Sequence, residues 1–121
     1  MESTGQARFD HAKECLLQGA LLEAIDGFRH AVSLKPNFAE AYSQLGIAYR
    51  LLRKYPEAIE ALTRAIELRP DDVEARYNLG RAYLGVGRLY EALVQHRILR
   101  QSDTYLAMEL RKHLATISRH V

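Results

Sequence analysis

The triplet Glu-Ala-apolar occurs three times, as Glu23-Ala24-Ile25, Glu57-Ala58-Ile59 and Glu91-Ala92-Leu93, each 34 residues after the one before. A fixed period of this length marks a stacked-repeat architecture, because each unit is one supersecondary element that needs its neighbours to bury its apolar face. Other residues keep the same step. Leu45-Gly46 returns as Leu79-Gly80, Tyr49 as Tyr83, Pro36 as Pro70 and Ala31 as Ala65. The period predicts three repeats, at about residues 5–38, 39–72 and 73–106, within a single domain spanning 1–121.

Each unit reads as two helices. In 39–72, Ala41, Leu45, Ala48 and Leu52 fall three or four apart, the helical period. A break follows at Arg53-Lys54, and Pro56 suits the first turn of a second helix. Ile59, Leu62, Ala65 and Ile66 form the second apolar stripe. Pro70 ends the unit, since proline cannot continue the hydrogen-bond ladder, and Asp71 or Asp72 can cap the next helix. Small residues fall where paired helices would cross: Gly46 with Ala58, Gly80 with Ala92, and Ala12 with Ala24. A glycine inside a helix costs roughly 1 kcal/mol relative to alanine, and close packing is the compensation expected here.

Residues 39–72, with Tyr42, Leu45-Gly46, Tyr49, Ala58, Leu62, Ala65 and Pro70, resemble the tetratricopeptide repeat. Residues 73–106 keep Leu79-Gly80, Tyr83 and Ala92 but depart at Arg76, His96, Leu99 and Thr104. Residues 5–38 keep Ala24, Phe28, Ala31 and Pro36 but carry Arg8, His11, Ala12 and Cys15 in the first helix. Arg76 apart, the helical departures lie in the first helix of the first repeat and the second helix of the last, terminal repeats that lack one neighbour. The resemblance implies an all-α, right-handed α-α superhelix of three helix-turn-helix repeats. A seventh, capping helix is predicted over about 104–119. Asp103 can start it, Leu106, Leu110, His113, Leu114, Ile117 and Val121 give it an apolar face, and Tyr105, Glu109, Lys112, Thr116 and Arg119 give it a polar one.

Composition bounds the chemistry. Hydrophobic residues are 48% and charged ones 26%, the balance of an ordinary globular domain. The net charge of +2 is too small to imply nucleic acid, and the basic residues Arg97, Arg100, Arg111, Lys112 and Arg119 come without a helix-turn-helix module. The single cysteine, Cys15, excludes an internal disulfide and a Cys-rich zinc site. His11 and Cys15 share a helix face, but two ligands do not close a metal site, so His11 and His96 read as partly buried packing or hydrogen-bonding histidines. Glu23, Glu57 and Glu91 sit in first turns, where the helix dipole favours them. No phosphate loop or nucleophile elbow occurs. The expectation is a chain that is not an enzyme and has no cofactor, metal or membrane span. With no signal-peptide pattern at the N-terminus, it is expected in the cytoplasm.

The resemblance implies that the first helix of each repeat lines a concave groove that receives a partner peptide. Residues opposite the packing stripe then form ladders: Phe9, Ser43 and Tyr77; Lys13, Ile47 and Arg81; Leu16, Arg50 and Leu84. Gln44 and Asn78 stand beside them as donors for a peptide backbone. Such a groove suits a peptide with apolar anchors and acidic residues. Chaperone-tail binders of this family use a clamp of Lys and Asn, then Asn, then Lys and Arg. The matching positions here hold Phe9 and Lys13, Gln44, and Glu74 and Asn78, so a chaperone C-terminal tail is not expected. The rival reading is a self-assembling scaffold, a homo-oligomer motivated by Tyr105 and Met108 on the polar side of the last helix, and a nucleic-acid-associated regulatory protein is the distant alternative.

Overall fold

A computed structural model describes residues 4–118, which form seven helices: α1 Gly5–Leu17, α2 Leu21–Leu34, α3 Ala39–Leu51, α4 Tyr55–Leu68, α5 Val73–Gly85, α6 Leu89–Ser102 and α7 Thr104–Ser118. None of them is long and apolar enough to cross a membrane. The expected positions Val121 and Arg119 lie outside the described residues.

The turns inside the three pairs are copies of one another. Gly19, Arg53 and Gly87 all take positive φ, at 79°, 61° and 76°. The amide of the next residue then reaches back five places, from Ala20 to the Cys15 carbonyl, Lys54 to Tyr49 and Arg88 to Tyr83, each at 2.9 Å. These are Schellman closures, which satisfy carbonyls that the helix end would otherwise leave unpaired. Arg53 occupies a left-handed position that glycine fills in the other two repeats. Thr4, Asp72 and Asp103 cap α1, α5 and α7 through their side-chain oxygens. Phe38 stands at the start of α3 with no side-chain cap; it is buried instead.

The helices form two layers. Each second helix packs on its own first helix and on the first helix of the next repeat. Neighbouring first helices also touch, α1 with α3, α3 with α5 and α5 with α7, whereas α2 and α4, and α4 and α6, do not. A stack whose inner helices touch while its outer helices spread must bend toward the inner layer. The concave face is therefore that of α1, α3, α5 and α7, and the whole is an all-α superhelix.

Small residues decide how close the layers come. A Cβ on Gly46 would sit inside the Leu62 side chain of α4. The partner of Gly46 is thus Leu62, one turn beyond the expected Ala58, which is fully buried nearby. In the first repeat the sizes are exchanged: Ala12 faces Gly27 rather than Ala24, and a Cβ on Gly27 would come within 2.7 Å of the Ala12 Cβ. In the third repeat a Cβ on Gly80 would meet Leu110 of α7 at 2.7 Å, and Gln95 only at 3.5 Å. The space that Gly80 leaves is therefore entered by the last helix.

That replacement explains the third repeat. Its second helix has His96 where α4 has Leu62, and His96 is only half-buried. Leu110 and Leu99 are fully buried and rebuild the core there with Ala92, Leu84 and Ala107. Arg76, in the place of Tyr42, donates to the Gln95 side chain at 3.0 Å and to the Pro70 carbonyl at 3.0 Å. A single residue, Asp103, joins α6 to α7, so α7 starts at Thr104, ahead of the register set by Ala39 and Val73. The early start delivers Leu110 to the Gly80 gap.

Candidate functional site

The concave face takes its character from residues that the helical period turns away from the core. Ile47 and Arg50 of α3 and Tyr77 and Arg81 of α5 are half-buried there, with Gln44 beside them, and Lys13 of α1 is exposed. Four expected groove residues sit elsewhere. Phe9 is 2% exposed and belongs to the core, its ring 4.7 Å from Phe38 and 5.7 Å from Phe28. Its neighbour Arg8 stands where the repeat pattern has an aromatic, and Arg8 is exposed. Phe9 supplies the missing bulk from one position along. Ser43 is buried as well, because the small hydroxyl lies where adjacent first helices meet. Asn78 is 4% exposed and fully engaged: its amide nitrogen donates to the Glu74 carbonyl at 2.9 Å, and its oxygen accepts from Arg50 Nε at 2.8 Å. It holds Arg50, and its burial keeps the amide from reading a peptide backbone. Leu84, from the third ladder, is also in the core.

The charges divide the groove. Lys13 is 3.7 Å from Glu40 and stacks 5.4 Å above Phe9, so its charge is largely answered within the chain. Glu40 and Glu74, with Asp71, Asp72 and Arg69, line a cavity of about 430 Å³ at the N-terminal ends of α3 and α5. The opposite end is basic. Burial first, then Arg81, pushes the pKa of Arg50 below its ordinary value, although a guanidinium remains charged. Arg81 stands over the Tyr77 ring at 6.0 Å. Burial, then Arg81 and Arg50, also pushes His113 of α7 below the usual imidazole range. Sequence reasoning placed His113 on the packing face of α7 and missed this proximity. The available signal was a titratable residue interrupting an apolar stripe.

The basic residues of the C-terminal segment do not form one patch. Arg111 faces His96 and Arg100, and with burial these two arginines lower the His96 pKa. Lys112 instead pairs with Glu109 at 2.8 Å. His11 is exposed rather than partly buried, and its Nε2 is 3.7 Å from the buried Sγ of Cys15. No group of three metal-capable side chains occurs among the described residues. A larger cavity, roughly 1020 Å³, opens on the convex side, where α2 and α4 diverge over α3. Leu22, Arg29, Tyr42, Lys54, Glu57 and Arg64 are among its walls, and no sequence pattern pointed to it.

Two family models, described as TPR repeat and tetratricopeptide repeat, match residues 48–87 and 28–60. Residues 28–87 of the chain are tetratricopeptide repeat sequence. The chain's fold is also that of solved tetratricopeptide domains. The first such domain of Spaghetti (RPAP3), bound to the HSP90 peptide SRMEEVD, superposes with a TM-score of 0.87 at 21% identity, over 95% of this chain and 94% of that one. The Arabidopsis OM64 domain gives 0.87 at 18% identity, over 98% and 97%. MamA gives 0.73 at 26% identity, and the match spans 93% of this chain but 61% of MamA. A comparison with curated proteins returned no match. At these identities the tetratricopeptide likeness describes the backbone, and the groove chemistry must be read from this chain's own residues.

Proposed function

We propose that the chain is a non-catalytic interaction module that holds an extended segment of a partner protein in its concave groove. One observation carries this reading. Ile47, Arg50, Tyr77 and Arg81 line adjacent helices on the concave face, and neither arginine is ion-paired among the described residues. Apolar surface next to uncompensated positive charge suits a segment with apolar anchors and at least one acid. The bound peptide in the Spaghetti structure supports the general mode, since that domain shares this fold.

The same likeness raises the chaperone tail as a ligand, and the residues argue against it. Glu74 stands near the position of a clamp lysine, and Asn78 is occupied by Arg50. The SRMEEVD peptide titrated into the chain is therefore expected to give no saturable signal. Saturable binding would reverse that part of the reading. For the groove itself, partner capture is compared between the native chain and Arg50→Glu/Arg81→Glu, with helicity measured in parallel. Loss of the captured partner at unchanged helicity is expected. Equal capture would remove the groove as the site.

Self-assembly has one observation in its favour. Tyr90, Leu93, Tyr105 and Met108 are 75%, 52%, 69% and 55% exposed on α6 and α7. Light scattering over a concentration series separates the readings, because a concentration-independent monomer removes assembly.

A further inference from the structure

We propose that Arg50, Arg81 and His113 form one anion subsite at the basic end of the groove, taking an acidic or phosphorylated side chain of the bound segment. The inference rests on the groove reading above and specifies its chemistry.

Three helices converge on this point. Arg50 leaves α3 and is fixed against α5 by its 2.8 Å bond to Asn78 Oδ1. Asn78 is itself buried and anchored to the Glu74 carbonyl. That bond uses only the Nε–H of Arg50; its terminal amino groups have no hydrogen-bond partner among the described residues. They are the pair that grips a carboxylate or phosphoryl group in bidentate fashion. Arg81 follows Asn78 by one turn of α5 and is stacked on Tyr77. Tyr77 packs against the core that α7 completes with Leu110 and Leu114, and His113 adjoins Leu114. Tyr55 closes the neighbourhood: a Cβ on Gly85, one turn beyond Arg81, would lie within its ring. The positions of Arg50, Arg81 and His113 are not those compared with the chaperone clamp.

The local charge is unbalanced. Glu109 is the acid that faces His113 on α7, and it holds Lys112. Arg50 of α3 and Arg81 of α5 face the imidazole without carboxylate partners. On the other side of α7, α6 sets His96 and Arg100 against Arg111. Burial first, and then repulsion from the Arg81 and Arg50 guanidiniums, disfavours a proton on the His113 imidazole. An anion seated between them cancels that repulsion and offers the imidazole a charged acceptor. Binding therefore draws a proton onto His113, and affinity rises as the pH falls through the titration of the bound imidazole and levels off below that of the free site.

The test follows the imidazole signals of His113 by NMR as a function of pH. The full chain is titrated in chloride alone, with inorganic phosphate and with acetate, at constant ionic strength. His30, exposed on α2, is the internal reference. Phosphate, acetate or both are expected to raise the His113 midpoint by about one pH unit, tenfold in proton affinity, while His30 stays in place. Arg81→Gln is expected to raise the midpoint in chloride and to abolish the anion response. A response to phosphate alone assigns the subsite to a phosphorylated side chain; a response to both extends it to carboxylates. Equal movement of His113 and His30, or none in either anion, overturns the subsite. It does so independently of the groove, which stands or falls with partner capture by Arg50→Glu/Arg81→Glu.

Discussion

The second and third repeats share a register and solve the same packing problem differently. In the second, Gly46 admits Leu62 from its own second helix, and Tyr42 lies over the pair. In the third, Gly80 admits Leu110 from α7, while His96 is only half-buried and Arg76 bonds to Gln95. A slot in a repeat can therefore be filled by whichever helix reaches it, provided the glycine leaves room. The third repeat and α7 act as one packing unit. That union also brings His113 within electrostatic reach of Arg50 and Arg81.

The comparison breaks most directly at Leu110. Leu110→Ala and Leu62→Ala should each cost about 2–5 kcal/mol by urea unfolding, since each leaves a cavity against a glycine. Hydrogen exchange should then show α5 and α6 losing protection first in the Leu110 variant. A small effect at Leu110 beside a full effect at Leu62 would mean that α7 is an appendage. Arg76→Ala should cost roughly 1–3 kcal/mol, because Gln95, 9% exposed, loses its partner. The matching truncation Tyr42→Ala probes packing alone, with no polar group left unpaired.

Smaller effects sharpen the comparison. Arg53→Gly should stabilise the chain by about 0.5–1 kcal/mol, read as a higher urea midpoint, because it puts glycine in a left-handed position that the other two turns already give to it. Loss of stability there would assign Arg53 a contact that outweighs its backbone strain. The smallest effect concerns pH. His96 and His113 both bind protons less readily folded than unfolded. The unfolded chain therefore takes up protons first, and stability falls as the pH drops through about 6.5, then levels off below the folded pKa values. His96→Gln with His113→Gln should flatten that limb of the curve.

The middle repeat was legible in the sequence because nearly every signature residue meets another signature residue. Leu45-Gly46, Tyr49, Leu62 and Ala65 are one another's neighbours across the helix pairs. The caps at Asp72 and Asp103 were equally readable, since an aspartate before an apolar stripe has a local job. Legibility failed where a residue answered to a distant helix. Phe9 looked outward by register, but Arg8 left a hole that only Phe9 could fill. Asn78 looked like a ligand-reading amide, but Arg50, from the preceding repeat, had claimed it. The route of Leu110 to Gly80 depended on a one-residue junction that no glycine or proline announces. His113 followed the same route and was hidden for the same reason.

The central claim is that the groove reads acidic segments through its basic end, and peptide display on the immobilised chain tests it most directly. The native protein is expected to enrich sequences pairing an apolar anchor with an acidic residue, and Arg50→Glu/Arg81→Glu to lose or invert that acidic preference while remaining folded. Enrichment of the same sequences by both proteins, or of none by the native one, would contradict the account.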